Sequence, residues 1–238
     1  MADPQPNRYI PVRVEAFRHK LRHVAARLSD DTKAHEAIKI VALGSSSTAG
    51  EGGIVPYPVR LQAMLRTKYS GRMIDVLNRG IGGEEAPAEL ARIGSDVIAE
   101  KPSLVIWQVG TNAVWQCGHD LRNVTAAVDD GLNRLKASLP ETDVILMDMQ
   151  YAPALLTPDK IDKTRWMLLE IIRLAAAHPG VNVFHRFEMM RKWHEIEGHS
   201  FDRLIDPSDE TRLHQSDWSA QRIGYELTEA IATAAIWP

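Results

Sequence analysis

From Ile38 onward, short runs of apolar and β-branched residues alternate with longer stretches whose apolar positions recur at three- and four-residue steps. The runs are IKIVAL (38–43), MIDVLN (73–78), SLVIWQV (103–109), DVILMDM (143–149) and VNVF (181–184). Helical spacing fills the intervals near 58–69, 86–99, 120–139 and 160–178, and continues near 186–197 and 218–235. Strands that are apolar on both faces and separated by helices predict a parallel sheet covered on both sides, because each crossover lays a helix on one face. The expected class is therefore α/β, a three-layer α/β/α sandwich built on five parallel strands. Upstream, Val14, Phe17, Leu21, Val24 and Leu28 form one apolar stripe, which predicts a helix from about Val12 to Leu28. Residues 1–11 are proline-rich and read as an arm, and residues 29–36 as a polar linker. The chain thus divides into an N-terminal arm and helix over 1–36 and a single domain over 37–238.

Composition narrows the partners. The chain has 238 residues, 45% hydrophobic and 25% charged, with a net charge of −3. A balance this near neutral gives no electrostatic case for nucleic acid or an anionic membrane, so the expected partner is a small molecule. A single cysteine, Cys117, leaves no intrachain disulfide and no cysteine metal cluster, which fits a reducing compartment. No apolar stretch approaches the roughly 20 residues of a spanning helix, and the N-terminus lacks a secretory apolar segment. The expectation is a soluble, cytoplasmic chain. The pattern leaves homo-oligomer formation open.

Ligands of open α/β sheets bind beyond the carboxyl ends of the strands, where strand order reverses. Gly44, Ser45, Ser46, Ser47 and Thr48 follow the first run, Asn78 to Glu85 (NRGIGGEE) the second, and Gly110 to Trp115 (GTNAVW) the third. Thr211 to Trp218 (TRLHQSDW) precedes the last helical segment. Singly these are ordinary turns. Together they place a serine hydroxyl, a backbone N–H beside Gly83, the side-chain amide of Asn112 and the imidazole of His214 at one end of one sheet, the parts that acyl transfer requires. Competing motifs fail on particular residues. A phosphate loop needs a lysine that GSSSTAGEGG lacks, a dinucleotide fingerprint needs a different glycine spacing, and Thr48 stands where the Gly-x-Ser-x-Gly elbow ends in glycine.

These four segments resemble sequence blocks of the SGNH, or GDSL-type, hydrolase superfamily, in order across residues 44–218. Gly44-Ser45-Ser46-Ser47-Thr48 is similar to the Gly-Asp-Ser block, with Ser45 in place of aspartate. Asn78, Gly80 and Gly83 match the second block, Gly110 and Asn112 the third, and His214 the histidine of the last. The resemblance implies a flavodoxin-like order, Ser46 as nucleophile, His214 as general base, and Gly83 and Asn112 as oxyanion donors. It implies no cofactor and no metal. One departure stands out: the last block is Asp-x-x-His, and Thr211 occupies the aspartate position. The text DPSDETRLH leaves Asp209, Glu210 or Asp206 to orient the imidazole, with Asp209 favoured; a pair without an acid, its ring held by Thr211 or a carbonyl, is the alternative.

The implied function is a serine esterase for small acyl esters, acetyl esters of sugars or similar alcohols first among them. A thioesterase, a lysophospholipase or an acyltransferase of the same superfamily are the alternatives, and a non-catalytic ligand-binding relative the further one. Other residues are less telling. His194 and His199 are five apart and diverge on a helix by roughly 140°, which predicts locally bonded side chains in place of a zinc site. His19 and His23 have ligand spacing without a third ligand. Cys117 reads as a small filler, Asp148 as a strand-end polar group, and Trp115 and Trp218 as pocket walls or core.

Overall fold

The computed structural model describes residues 17–116 and 118–236. Five parallel strands, β1 (Ile38–Gly44), β2 (Ile74–Gly80), β3 (Leu104–Gln108), β4 (Asp143–Met147) and β5 (Val181–Phe184), form one sheet in the order β2-β1-β3-β4-β5. Every residue of the central β3 is buried, whereas β2, at the edge, buries Ile74 and Val76 and leaves its later residues half-buried. Apolar side chains on both faces of the inner strands force cover on both sides, and burying each Val, Leu or Ile contributes about 1.5–3 kcal/mol.

The described helices are α1 (Arg22–Ser29), α2 (Ser46–Ala49), α3 (Tyr57–Lys68), α4 (Ala86–Asp96), α5 (Thr111–Trp115), α6 (Leu121–Ser138), α7 (Ile161–Ala177), α8 (Arg186–Glu195), α9 (Phe201–Leu204) and α10 (Asp217–Ala234). Right-handed crossovers run one way from β1 to β2 and the other way from β2 onward. They set α3 with α10 on one face and α4, α6 and α7 in a row on the other. The reversal of strand order falls between β1 and β3, so α2 and α5 open side by side.

The N-terminal helix is shorter than its apolar stripe suggests. It begins at Arg22, and Phe17–Leu21 is not helical; Val12 to Ala16 and the arm before them lie outside the described residues, as does Cys117. Leu21 is fully buried as the stripe requires. Its N–H, however, donates to the Ala234 carbonyl of α10, and the His19 N–H to the Asn182 side chain of β5. Tertiary partners take the backbone groups that a longer helix would have used. Among the described residues, no helix is long and apolar enough to cross a membrane.

Candidate active site

β1 ends at Gly44, Ser45 is the N-cap of α2, and Ser46 is its first residue, 5% exposed. Ser45, standing where the family's block has aspartate, donates its N–H and its hydroxyl to Gln108 Oε1 at the end of β3, at 3.2 and 3.1 Å. Thr48 Oγ1 joins the same oxygen at 3.3 Å. The turn carrying Ser46 is thereby fixed to the neighbouring strand through a buried amide.

Two long-range contacts complete the turn. Asn78 Nδ2 donates to the carbonyls of Thr48 (2.8 Å) and Ala49 (3.2 Å), while its Oδ1 accepts from the Gly80 N–H. Gly80 is a close approach: a Cβ there would lie 2.2 Å from the Ala49 nitrogen. Three residues on, Gly83 has φ +79°, a left-handed conformation that only glycine adopts without strain.

Glu85 is the joint between this turn and α5. Its carboxylate caps α4 through the Ala86 N–H and also accepts from the N–H groups of Gly110 (3.0 Å) and Ala113 (2.8 Å). Burial pushes this carboxyl up, and the three N–H donors counter that effect. Asn112, 3% exposed, donates from Nδ2 to the Glu84 carbonyl at 2.7 Å, which sets its amide beside Gly83 with one proton left to give. The Gly83 and Ser46 N–H groups make no hydrogen bond among the described residues.

The histidine loop lies across the crevice. His214 Nε2 is 3.0 Å from Ser46 Oγ, and its Nδ1 is 3.0 Å from Asp209 Oδ2. The same Oδ2 accepts the N–H groups of Leu213 and His214, and Oδ1 accepts the N–H and hydroxyl of Thr211. Burial raises the Asp209 carboxyl, but the Thr211 hydroxyl and the three N–H groups outweigh it and hold the group well below the usual carboxylate range. Of the other two carboxylates, Asp206 is turned to the N–H and hydroxyl of Ser208, and Glu210 is exposed. Beneath the loop, Gln150 Nε2 donates to the Leu213 carbonyl, and Gln150 Oε1 accepts from Thr111 Oγ1 and from the buried Arg186.

Spacing singled out Asn78 without its partners Thr48 and Ala49, and could not reveal Gln108, Glu85 and Gln150 as ties of this arrangement, since they join separate elements. The remaining sequence candidates fall elsewhere. His194 Nδ1 bonds to the His199 carbonyl at 2.7 Å, and its ring stacks on Phe201. Among the described residues no cluster of histidine, cysteine, aspartate or glutamate is arranged to hold a metal. Asp148 accepts the Phe187 N–H at the end of its strand. Trp218 meets Trp193 edge-on, with the Arg203 guanidinium over its ring, and Trp115 lies under Lys160.

Comparison with known proteins gives a family and structures of the same fold. The family model of the non-GDSL lipase-like family matches residues 9–236. Among solved structures, an acetylxylan esterase from Geobacillus stearothermophilus superposes with a TM-score of 0.67 at 18% identity, over 84% of this chain and 94% of that one. A lipase/acylhydrolase from Enterococcus faecalis does so at 0.66 and 20%, over 82% and 95%. An α/β hydrolase from the metagenome of Lake Arreo reaches 0.64 at 20% identity, again over 82% and 95%. No curated protein sequence matches significantly. The chain shares its fold with the acetylxylan esterase and the lipase/acylhydrolase. The chain belongs to the non-GDSL lipase-like family, a description consistent with Ser45 at the aspartate position of the GDSL block.

Proposed function

We propose that the chain is a serine esterase acting on small acyl esters, acetyl esters of carbohydrates or similar alcohols foremost, through a covalent acyl-enzyme. The observation that carries this reading is the unbroken line from Ser46 Oγ through His214 to Asp209, at 3.0 Å and 3.0 Å. His214 Nε2 takes the hydroxyl proton as Ser46 Oγ bonds to the ester carbon, and Asp209 stabilises the resulting imidazolium and fixes its tautomer. Negative charge gathers on the former carbonyl oxygen, facing the N–H groups of Ser46 and Gly83 and the free amide proton of Asn112. One such donor is worth about 3 kcal/mol in the transition state. The imidazolium then returns its proton to the leaving alcohol, and water repeats the sequence to release the acid.

Two features support a small acyl group. The serine is almost enclosed, 5% exposed, and an acetylxylan esterase is among the proteins with this fold. Hydrolysis of p-nitrophenyl acetate and butyrate tests the reading. We expect a faster rate on acetate and loss of activity in Ser46→Ala, whereas full activity in that variant overturns the assignment. A rate that climbs with acyl length, or a preference for thioesters, points instead to a lysophospholipase or thioesterase.

A further inference from the structure

Glu51 follows the α2 turn in the segment Gly50-Glu51-Gly52-Gly53, and its carboxylate is half exposed. Its Oε2 lies 3.3 Å from His214 Nε2, the same nitrogen that faces Ser46 Oγ. Its Oε1 closes on the turn that carries Gly83, since a Cβ on Gly82 would stand 2.9 Å from it. One carboxylate therefore spans the mouth of the crevice between the imidazole and that turn.

Nε2 must hand its proton to the departing alcohol, so the place beside it that Glu51 holds is the alcohol side of the ester. With Nδ1–H directed at Asp209, the neutral ring offers a lone pair at Nε2, and Glu51, an acceptor only, makes no hydrogen bond to it. A substrate entering here displaces water from this half-exposed carboxylate, and neighbouring hydroxyls replace the lost donors.

We propose that Glu51 is a specificity-determining residue that selects esters whose leaving alcohol is rich in hydroxyl groups and disfavours alcohols carrying phosphate or carboxylate; this rests on the serine-esterase reading above. The carboxylate accepts hydrogen bonds from hydroxyls adjacent to the ester oxygen, which bring that oxygen to Nε2. An apolar alcohol leaves the carboxylate unpaired, and an anionic one faces a like charge.

The test compares kcat/KM for three acetyl esters: a methyl xyloside monoacetate, cyclohexyl acetate, and acetylated glycerol phosphate. The wild type is expected to favour the xyloside. Glu51→Ala is expected to lower the xyloside-to-cyclohexyl ratio by about tenfold or more, the worth of a hydrogen bond to a charged group. Glu51→Gln keeps an acceptor without the charge; it should retain most of that ratio and raise the relative rate on the phosphate ester. An unchanged xyloside-to-cyclohexyl ratio in Glu51→Ala overturns the proposal, as does undiminished discrimination against the phosphate ester in Glu51→Gln. Ser46→Ala, assayed alongside, separates the two readings: if it is inactive while the Glu51 ratios stay flat, only the inference about Glu51 fails, and if it is fully active, the esterase assignment fails with it.

Discussion

Thr211 holds a carboxylate where the GDSL-type block that this loop resembles carries one. The family's block has aspartate there; here threonine donates its N–H and its hydroxyl, at 2.9 and 2.6 Å, to the carboxylate of Asp209, two residues earlier. Asp209 serves as the orienting acid in the proposed mechanism, and Thr211 steadies it. In the proposed mechanism Asp209→Asn costs on the order of 10³–10⁴-fold in kcat, because the wrong tautomer faces the serine. Thr211→Val removes one hydrogen bond and should cost up to about tenfold; steady-state kinetics on p-nitrophenyl acetate separates the two. A carboxyl whose folded value is depressed stabilises the fold above its unfolded value, near about 4, and loses that contribution as pH falls through the folded one. The stability gap between wild type and Asp209→Asn should therefore stay level from neutral pH down to about 5 and close below about 4, as denaturant midpoints across pH will record.

The crevice depends on how strand ends and short helices are joined. Gly80 ends β2 against Thr48 and Ala49, the last residues of the short helix that begins at Ser46, and the backbone approach leaves no room for a Cβ. We expect Gly80→Ala to force that turn away and lower both stability and kcat, with the loss of activity outlasting any recovery of stability at low temperature. The long elements were legible because their apolar runs and 3.6-residue stripes reflect burial, as at IKIVAL and the helix over Leu121–Ser138. The short helices over Ser46–Ala49, Thr111–Trp115 and Phe201–Leu204 were not, since a single turn has no periodicity to read. For the same reason the N-terminal stripe promised helix over Phe17–Leu21, where the described chain has none: periodicity reports which side chains are buried and says nothing of Asn182 and Ala234 taking the backbone N–H groups.

Across the whole molecule, the buried face between β3 and α4 carries an electrostatic load. Glu89 is fully buried, accepts the Trp107 indole N–H at 2.7 Å, and its other oxygen has no partner among the described residues. Burial first, and the nearby Glu85 second, push its carboxyl well above the usual range. A carboxyl raised on folding binds a proton more tightly in the native state, so its contribution to stability is lost as pH rises from the unfolded value toward the folded one. Glu89→Gln keeps an acceptor for Trp107 and removes the titration. The variant should gain on the wild type steadily as pH rises above about 4.5, visible in thermal midpoints. Gln108, Glu85, Gln150 and Arg186 belong to the same scale, each linking elements far apart in sequence, which is why the sequence pointed to the candidate residues Ser46 and His214 and not to what aligns them.

In the proposed mechanism the His214–Asp209 pair makes Ser46 nucleophilic. A fluorophosphonate probe, followed by mapping of the modified peptide by mass spectrometry, tests this. We expect one label per chain, on Ser46, lost in His214→Ala and strongly slowed in Asp209→Asn. Labelling of a different residue, or equal labelling of Ser46 in the His214→Ala variant, would contradict it.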